Sequence, residues 1–219
     1  MVKKSRLFYS DEYKVIEKSI ADLLNRQSDV FNQYSINNPR SVGGAIEKLL
    51  VDKFSEIIDS VLYDYKITDA SRKSLGDFEF TDHDGFRYIV DVKTHRFDTT
   101  FNMPNLTSVR RLATLYENPS NYFVILKVDY SVDNLNVIVN KVTFVPIEFL
   151  SWDCLTLGAL GWGQLQIKNA NVVEIVPQND RKDWMIKMCD RLISHYSKEA
   201  IKAKSRSDYF EKIKNSWLK

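Results

Sequence analysis

The stretch from Gly76 to Arg96, GDFEFTDHDGFRYIVDVKTHR, constrains the fold more than any other part of the chain. Two runs rich in aromatic and β-branched residues, Gly76 to Phe80 and Phe86 to Lys93, flank the cluster Asp82-His83-Asp84-Gly85. That is the pattern of a β-hairpin closed by a polar turn. Asp77 opens the first strand, and Asp91 and Lys93 close the second. Side chains alternate along a strand at a period of two, so Asp91 and Lys93 share one face and Val92 takes the other. Two carboxylates are thereby brought toward one lysine. Charge on otherwise apolar strands costs on the order of several kcal/mol when buried unpaired, so it must find a cation, a partner or water. A hard divalent cation such as magnesium takes carboxylate oxygens, main-chain carbonyls and water, and Asp77, Asp91 and the Val92 carbonyl form such a set. Lys93 would then orient or deprotonate an attacking water, or stabilise charge on a phosphate. Taken alone, the D-x-K triplet is common, and it also reads as a solvated ion pair between Asp91 and Lys93.

Helical spacing brackets the hairpin on the N-terminal side. Tyr13, Ile16, Ile20, Leu23 and Leu24 fall on one stripe of a helix over 11–25, with acidic residues in its first turn, and this helix serves packing or dimerisation. Gln27 to Arg40 has no clear period and ends in Asn38-Pro39-Arg40, which reads as a loop and a helix stop. Ser41 is then the expected N-cap of a helix to Ser60, carrying Ile46, Leu49, Leu50, Phe54, Ile57, Ile58 and Val61 at helical spacing. Glu47 lies near its start, where it serves either as a surface partner of Lys48 or Lys53 or as a supporting carboxylate beside the hairpin.

Beyond the hairpin, Thr94 to Met103 reads as a polar connection, and Pro104 as the first turn of a helix through Tyr116 with Arg110 and Arg111 outside. Asn121 to Tyr130 is nearly continuously apolar, as a strand covered on both faces would be. A turn near Asp133-Asn134 leads to a β-branched run over 136–145, and Pro146 opens a short helix through Trp152. Thr156 to Ile167 holds three of the seven glycines, with Trp162, Gln164 and Gln166 alternating around them. This suits a groove-reading loop or a strand with a buried tryptophan. Helices are expected over Asp180 to Ser205 and Ser207 to Trp217. The whole predicts an α/β fold, a mixed central sheet flanked by helices.

An acidic residue, then D-V-K on the second strand of a hairpin, with a glutamate on the preceding helix, resembles the PD-(D/E)xK nuclease superfamily. Gly44-Ala45-Ile46-Glu47-Lys48-Leu49-Leu50 resembles the start of the catalytic helix in the HincII group of type II restriction endonucleases. Asp91-Val92-Lys93-Thr94, followed by Pro104-Asn105-Leu106, is similar to that group's D-V-K-T and P-N-I. The EcoRV group is a more distant relative of the same kind. The similarity spans roughly residues 42 to 200 in matching order, continuous only over short runs. One departure is Gly76, where the family motif has proline.

The resemblance implies a single restriction-endonuclease-like domain over 1–219, with 1–40 an N-terminal helical or dimerisation segment, 41–179 the catalytic and recognition core, and 180–219 basic C-terminal helices. It implies a cytoplasmic, magnesium-dependent homodimer that hydrolyses phosphodiesters of double-stranded palindromic DNA and leaves blunt ends. Manganese would substitute, calcium would bind without supporting cleavage, and no other small-molecule cofactor is implied. Asp77 and Asp91 would hold the metal with the Val92 carbonyl, Lys93 would prepare the water, and Glu47 would support them. The candidate DNA-contacting set is Thr94, His95, Asn102, Met103, Asn105, Arg110, Arg111, Trp162, Gln164, Gln166 and Lys168, with a solvated face the other reading of the arginine pair. Asn and Gln amides suit adenine, and arginine, the usual reader of guanine, is scarce near Trp162, which points to an A·T-rich site. Two rivals stay open: a structure-specific repair or resolving nuclease of the same superfamily, and a DNA-binding module without catalysis.

Composition sets the outer bounds. The 44% apolar and 27% charged content is that of an ordinary soluble globular protein, and 219 residues suffice for a substantial core. Cys154 and Cys189 lie far apart, which suggests neither a disulfide framework nor a zinc site. No run of eighteen apolar residues and no apolar signal core occurs, so membrane spanning and export are not expected. The net charge of +2 is small but uneven: from Arg181 onward eleven Lys or Arg face five Asp or Glu, leaving the first 180 residues acidic by four. That basic segment reads either as a phosphate-lying surface or as a solvated helix face.

Overall fold

Alternation along the strands decides which side of the sheet carries the core. The computed structural model describes residues 4–27, 31, 39–61, 75–99, 102–133 and 136–218. Its elements in order are α1 (Arg6–Tyr9), α2 (Glu12–Arg26), α3 (Pro39–Val61), β1 (Phe78–Thr81), β2 (Arg87–Arg96), β3 (Asn105–Ser108), α4 (Val109–Leu115), β4 (Asn121–Asp133), β5 (Asn136–Pro146), β6 (Leu155–Gly158), β7 (Gln164–Ile167) and α5 (Arg181–Trp217). They fall into two compact units, Met1–Pro177 and Gln178–Lys219.

The first unit is built on a four-stranded mixed sheet in the order β1-β2-β4-β5. β1 and β2 are antiparallel, β2 and β4 parallel, and β4 and β5 antiparallel. Register assigns its two faces. Phe78, Val90, Val124 and Pro146 lie in one cross-strand row, and Val92, Leu126 and Phe144 in another. Against this apolar face Phe8 of α1 meets Tyr88, Tyr122 and Phe144, while Phe54 of α3 meets Phe78, Phe80 and Phe144. Ile46, Leu50, Phe54 and Ile58 of α3 are buried with them. Polar groups under this cluster are paired: Tyr88 donates its hydroxyl to Asp82 at 2.6 Å and so accepts from Ser5 Oγ at 2.6 Å.

The stripe of α2 is consumed here as well. Tyr13, Ile16, Ile20 and Leu24 are buried, Glu17 accepts the Phe144 N–H at 2.7 Å, and Asn25 bonds both the N–H and the carbonyl of Val139. β5 is the sheet's edge, and these side chains satisfy part of its otherwise open ladder. Packing, one of the two uses expected for this helix, takes up that stripe.

The opposite face of the sheet is polar at one end. Lys93, Lys127 and Thr143 form one row, and His95, Asp129 and Lys141 the next. Lys127 and Asp129 are buried and ion-paired with each other. A second, antiparallel sheet of order β3-β7-β6 was not foreseen.

Several boundaries differ from the sequence reading. Pro39 opens α3, so Ser41 lies inside the helix rather than capping it; proline suits a first helical position because its missing N–H would have no partner there. Thr94 to Arg96 continue β2 instead of beginning a connection. Asn105 to Ser108 are a strand, and the helix expected from Pro104 starts only after Ser108. Past Pro146 there is one 3₁₀ turn, Ile147–Phe149. The two C-terminal helices are one, capped by Asp180 through the Lys182 N–H at 2.9 Å. Most of the expected 27–40 loop, part of the 94–103 connection and the Asn134 turn lie outside the described residues. No helix among the described residues is long and apolar enough to cross a membrane.

Candidate active site

β1 ends before β2 does, and the site forms where the edge of β2 is left open. The Asp77 N–H bonds the Val90 carbonyl at 2.8 Å. One step on, the Asp77 side chain replaces the missing strand: its Oδ2 accepts the Val92 N–H at 2.6 Å. A strand residue's N–H and carbonyl point to the same edge, so the Val92 carbonyl faces the side that Asp77 occupies. Gly76 permits this approach. A Cβ there would lie 2.3 Å from the Val90 carbonyl oxygen, so this backbone has no room for proline or for any other side chain at the position.

On the polar face, Lys93 Nζ donates to Asp91 Oδ1 at 2.7 Å. Asp91 is only 6% exposed, and its Oδ2 is buried with no hydrogen-bond partner. Burial, only partly offset by Lys93, pushes its carboxyl up to about 7, and Asp77 and Glu47 add to the rise. Glu47 is exposed on α3, and partial burial followed by the Asp77 carboxylate raises its pKa against the pull of Lys93. The four groups therefore share one electrostatic field. The helix is held close by Gly43, one turn before Glu47, where a Cβ would come 2.5 Å from Thr94 Oγ1. Gly44, Glu47, Lys48, Val51, Gly76 and Asp77 line a groove of about 340 Å³ beside them.

Among the described residues, no group of three or more His, Cys, Asp or Glu side chains could hold a metal ion by itself. The donor chemistry present is two carboxylates and a main-chain carbonyl. This fits a hard, largely hydrated cation better than a full protein cage. The orphaned Oδ2 of Asp91 is the observation in its favour: a buried carboxylate oxygen without a donor is a costly arrangement that a cation would relieve.

The structure places the expected DNA-contacting residues in several different settings. Asn105, Gln164 and Gln166 come together on the small sheet, with Asn105 opposite Gln166 and Gln166 Nε2 donating to Asn105 Oδ1 at 2.6 Å. Trp162, read as alternating with the glutamines along a strand, sits in the β6–β7 turn, 61% exposed, with the Arg110 guanidinium 4.9 Å from its ring centre. Arg111 and Met103 are exposed nearby in sequence, and Asn102 lends its carbonyl to the Ala170 N–H. Lys168 donates to the Asp153 carbonyl at 2.7 Å.

Two residues are placed against expectation. His95 is 2% exposed with Nε2 2.8 Å from Asn171 Oδ1, so it does not reach a phosphate in this arrangement, because β2 carries it under the 168–177 segment. Thr94 points to the helix-covered face and packs on Gly43. Sequence reasoning missed Lys127 and Asp129. Their K-V-D triplet mirrors D-V-K but was hidden within an apolar strand, and only strand register places Lys127 beside Lys93.

Neither a scan against protein-family models nor a search of curated proteins finds a match to this chain.

Proposed function

We propose that this chain is a magnesium-dependent endonuclease of the type II restriction kind. It acts as a homodimer on a short, A·T-rich palindrome in duplex DNA and leaves blunt ends. The observation that carries the reading is the meeting of Asp77, Asp91, Lys93 and the Val92 carbonyl at the open edge of the hairpin, with a buried carboxylate oxygen lacking a donor.

Asp77, Asp91 and the Val92 carbonyl would hold the cation, with water completing its shell. When bound, the cation supplies positive charge to the scissile phosphate and acidifies water. The chain's own groups do the rest. The Val92 N–H fixes the Asp77 carboxylate. The Asp91 carboxylate holds the Lys93 ammonium on the sheet's polar face, where it orients the water that attacks phosphorus in line with the departing 3′ oxygen. Glu47 accepts a hydrogen bond from that water or from its neighbour. The attacking oxygen joins phosphorus as the P–O3′ bond breaks, giving a 5′-phosphate and a 3′-hydroxyl. Manganese would replace magnesium, and calcium would bind without turnover.

One observation favours a second reading, a structure-specific nuclease of the same superfamily. Gln166 and Asn105 are bonded to each other, so two of the amides expected to read bases are engaged with one another. Digestion of one plasmid separates the two. Discrete fragments with mapped blunt ends, lost in Lys93→Ala, support the restriction reading; a smear points to the second; and an intact plasmid under magnesium and manganese alike rejects both.

A further inference from the structure

The polar face of the mixed sheet holds a cavity that shares no lining residue with the groove beside Asp77. Lys127 and Asp129 of β4 and Thr143 of β5 line it, and they are 4%, 7% and 7% exposed. Its volume is about 190 Å³, the share of roughly six water molecules. Asn140 and Lys141 of β5 and Asn171 line it as well and are exposed, so they form its mouth. Every lining residue belongs to the first unit.

A break in the β4–β5 ladder builds that mouth. Asp129 pairs with Lys141 and Tyr130 with Val139, so Asn140 is an extra residue on β5. Neighbours on a regular strand point to opposite faces, yet Asn140 and Lys141 both line the cavity. A bulge re-aims side chains in this way. Another wall is fixed too: Asn171 donates to the Thr99 carbonyl at 3.0 Å, and its Oδ1 lies 2.8 Å from His95 Nε2.

The hydrogen-bonding groups say what would fill the space. A lysine ammonium has three hydrogens to donate, and that of Lys127 gives one to Asp129 with no further partner among the described residues. The Thr143 hydroxyl has no partner among them either. Asp129 keeps its second carboxylate oxygen as an acceptor. The charged lining groups are two ammoniums, Lys127 and Lys141, against one carboxylate. An anion is therefore favoured, but a fully ionised one would set its oxygens against Asp129. An oxyanion that keeps a hydrogen answers both demands: its ionised oxygens accept from Lys127, Thr143 and Lys141, and its hydroxyl donates to Asp129. A phosphodiester of duplex DNA has no such hydrogen and does not reach a lysine this deeply buried.

We infer that this cavity binds a small free oxyanion of the hydrogen-phosphate class. The site stands on the β4–β5 pair alone, and its failure would leave the metal-site reading untouched.

The test uses the full chain near neutral pH, without DNA or magnesium. Calorimetric titration with inorganic phosphate is expected to show one saturable site per chain. Sulfate, which has no hydrogen to give Asp129, is expected to bind about tenfold or more weakly. A nucleoside 5′-monophosphate carries the same group on a body too large for the cavity and is expected to bind more weakly than phosphate itself. Thr143→Val keeps the shape of the side chain and is expected to weaken phosphate about tenfold. Lys127→Met with Asp129→Leu is expected to abolish binding, with thermal melting reporting whether the variant is folded; if it is not, Thr143→Val decides. The inference is overturned by the absence of a saturable phosphate site, by sulfate or the nucleotide matching phosphate, or by phosphate affinity unchanged in Thr143→Val or in the folded double variant.

Discussion

Asp91 carries a buried carboxyl with one oxygen on Lys93 and the other on nothing, and its protonation is therefore tied to folding. Because its pKa is raised to about 7, the folded chain without metal holds a proton that the unfolded chain releases near pH 4. The stabilising contribution is complete below that lower value and is lost as pH rises through about 7. Asp91→Asn removes the dependence. Without divalent cations it is expected to melt above the wild type at pH 8, with the gap narrowing toward pH 5, in a thermal scan run at several pH values. A metal held by Asp91 as proposed would displace the same proton, so calorimetric magnesium affinity in the wild type is expected to fall up to about tenfold per unit below pH 7 and level off above it. At Gly76 the issue is space. Gly76→Ala is expected to cost about 1–3 kcal/mol in denaturant unfolding, because the Val90 carbonyl must give way. The sequence made Asp77, Asp91 and Lys93 legible, since alternation along a strand is local. It did not show that Gly76 is a steric requirement, because the obstructing atom belongs to the partner strand.

At the scale of elements, the proposed function gives the β3-β7-β6 sheet and the α4 arginines two different kinds of DNA contact. Gln164 shares its face with Gln166 but is not tied to Asn105. Gln164→Ala is expected to relax discrimination at one base pair by about 1–3 kcal/mol, with non-specific binding nearly unchanged, in competition binding against a panel of single-base variants. Arg110→Ala is expected to weaken all duplexes alike and to lower the slope of log affinity against log salt by about one. The helix expected from Pro104 became strand then helix because Asn105 to Ser108 pair with β7, some sixty residues away, and no local pattern announces a partner at that distance. In α5 the opposite happened. Two helices were expected, parting at Arg206, yet without Gly or Pro the helix runs on, with Lys204 paired to Asp208 one turn ahead at 2.6 Å.

For the whole molecule, the mixed sheet flanked by helices was readable from apolar runs and helical spacing, while the parallel pairing of β2 with β4 was not. That pairing, ten consecutive positions long, sets Lys127 beside Lys93 and Asp129 beside His95. Burial pushes the Lys127 ammonium down, and Asp129 holds it up. Replacing Asp129 alone by Asn is expected to cost about 3–5 kcal/mol in urea unfolding, whereas Lys127→Met with Asp129→Leu together should be near neutral.

The buried pair also acts as a lock on alignment. Were β4 to slide one residue along β2, Lys127 and Asp129 would turn into the aromatic layer beneath Phe8 and Phe54. The double apolar replacement should therefore keep its strength while losing its exclusivity. Strands free to settle in more than one alignment would broaden or duplicate the amide resonances of Asp91 to His95 in solution spectra.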